Sequence, residues 1–76
     1  MKLQRYRIRA EMGTELLRLR LADSYTMLQF LRFLHGENTA FELPYELRHQ
    51  LPGLWPRRRF DSAVESLIAQ KYIVAC

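Results

Sequence analysis

The spacing of apolar residues in this chain changes once, and that change limits what it can fold into. Up to Leu21 the dominant spacing is two residues; from Ser24 onward it is that of a helix. Residues 5 to 12, Arg-Tyr-Arg-Ile-Arg-Ala-Glu-Met, alternate polar with apolar, and Leu17-Arg18-Leu19-Arg20-Leu21 alternates again after Gly13-Thr14. A period of two sends side chains to opposite faces of a strand, and glycine first in a two-residue connection suits a type II′ turn. The pattern predicts an N-terminal β-hairpin over residues 1–22, with Met12 opposite Glu15, Ala10 opposite Leu17, Ile8 opposite Leu19 and Tyr6 opposite Leu21. One face of that hairpin carries Tyr6, Ile8, Ala10, Leu17, Leu19 and Leu21. The other carries Arg5, Arg7, Arg9, Arg18 and Arg20.

In this register Arg9 faces Arg18 and Arg7 faces Arg20. Like charges directly across a ladder cost from a few tenths to about 1 kcal/mol per pair. Folding alone favours interleaved glutamates at such positions, and guanidinium forks bind phosphate oxygens in bidentate fashion. A phosphate-tracking ribbon is one reading of this face. The other is a solvated face, covered by Glu42 or Glu46 or serving to protect a sheet edge.

Asp23 or Ser24 suits an N-cap, and Met27, Phe30, Leu31 and Leu34 follow at helical spacing to Gly36, which predicts a first helix over 24–35. Residues 38 to 42 form a short connection able to add a bridge or brief strand. Pro44 suits the first position of a second, short helix from Tyr45 to Leu51, which Pro52-Gly53 ends. Pro56 opens a third helix with Phe60, Val64, Leu67 and Ile68 inward, and Tyr72-Ile73-Val74-Ala75 reads as a terminal strand. The chain is therefore expected to be a single α+β domain over 1–76, a hairpin followed by three helices and a short C-terminal strand.

From residue 24 onward the chain resembles the winged-helix branch of the helix-turn-helix superfamily. The residues that carry the resemblance are the leucine-rich first helix, the Pro44-to-Leu51 helix, the Pro52-Gly53-Leu54 turn and the run from Phe60 to Ile73. That last run is similar to the family's recognition helix leading into its first wing strand. The chain departs from the family where a second wing strand is due, since only one strand follows the third helix. The resemblance implies that the N-terminal turn of the third helix, Pro56-Arg57-Arg58-Arg59, approaches base edges in the major groove, with Ser62 beside it. Three arginines at a helix N-terminus oppose the helix dipole, so folding gives little reason for them. Against this, Glu65 also lies on the outward face, and Arg57 and Arg58 can pair with Asp61 one turn on.

Charge points the same way. The formal net charge is +4, and up to residue 20 six basic residues stand against two acidic ones. Beyond residue 20 the two signs cancel, so the excess sits in the first quarter of the chain and favours an anionic partner. Hydrophobic residues make up 49% and charged ones 26%, which argues against wholesale disorder. No stretch is apolar for long enough to span a bilayer. The single cysteine, Cys76, leaves no disulfide within the chain and fits a reducing, cytoplasmic setting.

His35 and His49 have no cysteine nearby, the glycines stand apart, and no catalytic triad or carboxylate pair suggests itself. No metal or cofactor is expected, and neither is catalysis. The expected function is binding of double-stranded DNA by a small transcriptional regulator, as a monomer or homodimer. Arg57, Arg58, Arg59 and Ser62 would lie at the groove and Arg5, Arg7, Arg9, Arg18 and Arg20 on phosphates. The alternative is a protein-binding adaptor or inhibitor on the same scaffold, for example a phage-encoded one, docking on an acidic surface of host machinery.

Overall fold

The computed structural model describes residues 4–9, 13–37 and 39–76. Its elements run β1 (Arg5–Ile8), α1 (Thr14–Arg18), α2 (Ala22–His35), β2 (Phe41–Glu42), a 3-10 helix (Tyr45–Gln50), α3 (Arg57–Ala69) and β3 (Ile73–Ala75). The α+β class agrees with the expectation. The hairpin does not. Only its first arm is a strand, and that arm is the centre of a three-stranded antiparallel sheet of order β2-β1-β3. Tyr6 pairs with Phe41 on one side, while Tyr6, Arg7 and Ile8 pair with Ala75, Val74 and Ile73 on the other.

The second arm is helical, so the pairing of Ile8 with Leu19 and of Tyr6 with Leu21 is not formed. Ala10 and Met12, which the same register invoked, lie outside the described residues. The physical reason is Leu16. It is completely buried, whereas Leu17 and Leu19, assigned to the core by alternation, are 49% and 45% exposed. Gly13 sits at φ +83°, φ-positive as a II′ turn would require, but it opens α1 instead. A five-residue Leu-Arg alternation is too short to outweigh the gain from burying Leu16.

α1 closes with a Schellman motif. The Leu21 amide donates to the Leu16 carbonyl at 2.8 Å and the Arg20 amide to that of Leu17 at 3.1 Å. α3 closes in the same way, with the Tyr72 amide to Leu67 at 2.9 Å and the Lys71 amide to Ile68 at 3.0 Å. Both motifs need a left-handed residue, usually glycine, yet Arg20 (φ 61°) and Lys71 (φ 62°) occupy those positions.

α2 starts two residues earlier than expected. Leu21 is its N-cap residue, and neither Asp23 nor Ser24 caps it. Ser24 is instead buried, its hydroxyl donating to the Ala63 carbonyl of α3 at 3.0 Å. The short second helix is a 3-10 turn with Pro44 as its N-cap residue. α2 packs on α3 and the sheet covers them, around a core that includes Ile8, Leu16, Met27, Leu28, Leu31, Phe60, Leu67 and Ile73. On α3 the inner stripe is Phe60, Ala63 and Leu67; Val64 is half-buried and Ile68 is 40% exposed.

Candidate nucleic-acid interface

The three arginines that open α3 have three different surroundings. Arg57 pairs with Asp61 one turn on, Nε to Oδ2 at 3.3 Å, and its guanidinium lies 4.9 Å from the Tyr45 ring centroid. Arg59 reaches across to α2. It makes a fork with Asp23, at 2.9 and 2.8 Å, donates to the Leu54 carbonyl, and stacks 4.1 Å over the Trp55 ring. Arg58 is exposed and has no ion-pair partner among the described residues. Arg57 and Arg59 therefore each have an acidic partner, which leaves Arg58 as the one of the three without an ion pair among the described residues.

Arg58 lines a groove of about 540 Å³ between the first turn of α2 and the first half of α3. Arg20, Asp23, Arg59, Ser62 and Ser66 line it too, and the small side chains of Ala22, Ser24 and Ala63 leave it open. Arg20, expected on a strand, arrives here because its left-handed backbone at the end of α1 turns the chain into α2. It also lacks an ion-pair partner among the described residues. Neither α2 nor α3 has a side-chain cap at its N-terminus, so the first-turn amides of both helices add positive potential to the groove. Asp23 is the groove's acidic residue, and Arg59 neutralises it. The hydrogen bonds from Arg59 hold the Asp23 carboxyl below the usual carboxylate range, with burial opposing them and the Arg59 charge assisting.

The other expected phosphate contacts are not in this groove. Arg18 pairs with Glu15 on its own helix at 3.1 Å. Arg5 and Arg7 are exposed on β1 and Arg9 just beyond it; Arg5 lies 3.9 Å from Glu42, its register neighbour, and Arg7 opposes Val74. Glu42 thus does cover part of the arginine face, through β2 pairing. The two flanks of α3 also differ in charge. Asp61 and Glu65 border a separate groove of about 320 Å³ with Gln4, Tyr6, Phe60 and Ile68, on the side away from Arg20. Glu65 is therefore absent from the lining of the cationic groove and borders the other one.

The structure adds residues that sequence reasoning passed over. Arg48 stacks 3.8 Å over the Tyr45 ring and borders a third groove of about 420 Å³ with His49, Leu54 and Trp55. The three-residue spacing of Tyr45 and Arg48 carried that signal; the Asp23–Arg59 contact spans too much sequence to have one. Among the described residues no group of three histidine, cysteine or acidic side chains could hold a metal ion, and no helix is long and apolar enough to cross a membrane.

The Asp23–Arg59 pair makes a prediction about pH. A carboxyl depressed in the folded state contributes stability above its unfolded pKa, and that contribution is lost as pH falls through the folded value. Both side chains are nearly half exposed, 46% and 41%, so solvent screening keeps the contribution small. Asp23→Asn should flatten the acid limb of a stability-against-pH curve and leave the neutral region lower. An unchanged acid limb would show the pair to be idle. Set beside known proteins, the chain matches no family model, no curated protein and no solved structure.

Proposed function

We propose that this chain binds double-stranded DNA through the groove between α2 and α3 and serves as a small transcriptional regulator. α3 would act as a recognition helix in a winged-helix-like arrangement. In it β3 takes the place of the first wing strand, and β1, arriving from the N-terminal side, takes that of the second.

One observation carries the reading. Arg20 and Arg58, neither with an ion-pair partner among the described residues, flank the hydroxyl-bearing side chains of Ser62 and Ser66 beside two uncapped helix N-termini. A guanidinium left unpaired, hydroxyl donors and free amides are what a phosphate oxygen requires. The left-handed backbone of Arg20 strengthens the case. A non-glycine residue there costs about 1–2 kcal/mol, which a side chain bound to phosphate would offset.

The test is binding to a labelled random duplex across a range of salt. Wild type should weaken steeply with salt through counterion release, and Arg20→Ala/Arg58→Ala should lower the slope of log affinity against log salt by about two. The paired cations make the control, since Arg18→Ala/Arg57→Ala should leave most of the slope. A response flat between low and moderate salt removes the DNA reading.

A second reading has its own support. Phe33 is 79% exposed on α2, a large apolar side chain that folding leaves uncovered. A protein-binding adaptor docking through that helix would retain its partner after nuclease treatment and lose it in Phe33→Ser.

A further inference from the structure

Leu54 is 86% exposed, the most exposed large hydrophobic side chain among the described residues. Its backbone is nonetheless held from several sides. Gly53, at φ +83°, makes the turn, and Trp55 Nε1 donates to the Pro52 carbonyl at 2.8 Å. Arg59 donates to the Leu54 carbonyl, and the Tyr45 hydroxyl to the Trp55 carbonyl at 3.3 Å. A leucine on a loose loop can fold back onto apolar surface. This one is displayed on a braced turn.

Its neighbours are cationic on both sides. Pro56 lines the groove that contains Arg20 and Arg58, and it also lines the groove that contains Arg48, His49 and Leu54. Pro56 therefore divides two grooves that each hold an arginine, and Leu54 stands on the rim of the one that holds Arg48. An apolar side chain flanked by positive charge is complementary to DNA, whose phosphates lie on either side of its base edges. The turn leads directly into α3, and a helix fits the major groove. There the apolar group that base pairs display is the C5 methyl of thymine.

We infer that Leu54 is a base-reading residue that packs against thymine methyl groups in the major groove while the flanking grooves hold the backbone. The inference rests on the duplex-binding reading above and adds to it a preference that phosphate contacts cannot supply.

The experiment compares two random duplexes at low salt, one containing thymine and one with deoxyuridine at every thymine position, against wild type and Leu54→Ala. The phosphates are identical and only the methyl groups differ. Wild type should bind the deoxyuridine duplex more weakly, by about fourfold for each methyl contacted. Leu54→Ala should bind the thymine duplex more weakly than wild type does and show little difference between the two duplexes. The exposed position makes the substitution safe for folding, which an unchanged unfolding transition would verify. Equal binding of both duplexes by wild type, or discrimination that survives in Leu54→Ala, overturns the role of Leu54 and leaves duplex binding standing. Failure of wild type to bind either duplex overturns both.

Discussion

Gly13→Ala is expected to destabilise the fold by about 2–5 kcal/mol, from two costs that add. The first is conformational. Gly13 sits at φ +83°, where an L-residue loses about 1–2 kcal/mol. The second is steric, because a Cβ built there would lie 2.6 Å from Leu28 Cδ2 and 3.8 Å from Leu16 Cδ1. Leu28 is completely buried, so its methyl cannot swing into solvent, and overpacking of this kind costs about 1–3 kcal/mol. Domains of this size have only about 4–11 kcal/mol in total, so a visible fraction of the protein would be unfolded at elevated temperature. Gly53→Ala supplies the comparison, since Gly53 has the same φ of +83° with nothing within 4 Å of its virtual Cβ. Urea unfolding of the two variants should separate them by the steric part. Equal midpoints would mean that Leu28 yields freely and that α1 is not locked against α2 at this point.

Trp55→Ala should cost about 3–5 kcal/mol, the usual range for emptying a buried aromatic site. Trp55 is 4% exposed, and its indole N–H bonds the turn while its face carries the Arg59 guanidinium. Removing it therefore loosens the core, the turn that displays Leu54 and the cation that neutralises Asp23. Trp55→Phe separates these contributions. It keeps most of the packing and an aromatic face for Arg59 but gives up the bond to Pro52, a loss of about 1 kcal/mol. Chemical denaturation of both variants gives the comparison. A Trp55→Ala protein within 1 kcal/mol of wild type would show that the turn is held by its backbone alone.

How much of this was legible beforehand depended on the length of each pattern. α2 and α3 each span more than ten residues, long enough for helical spacing to repeat, and both were expected within two residues of where they lie. The stretch from Leu17 to Leu21 is not. Its alternation describes a strand, and the adjacent Leu16 is what places it in a helix, through contacts with α2 that no local pattern records. The cationic groove was half visible. Arg58, Arg59 and Ser62 follow from the expected recognition helix, but Arg20 was selected as a strand residue and reaches the groove through a helix end. Asp23 was read as a cap, a local role, while its contact is with a guanidinium on another helix. Arg20 and Asp23 were misplaced because what positions them is distant in sequence or set by a helix end.

The position of β1 has a consequence for the order in which the protein can assemble. A central strand made before both of its partners has neither neighbour available, since β2 and β3 follow it in the chain. The α1–α2 corner can form from contiguous sequence, with Gly13, Leu16 and Leu28 in contact, while β1 waits. Loop closure over long separations is slow, so the sheet should be the last part to acquire amide protection in a refolding experiment, and the helices the first. Until β3 emerges, the alternating arginines of β1 keep its open edges charged and discourage the nascent chain from pairing with another copy.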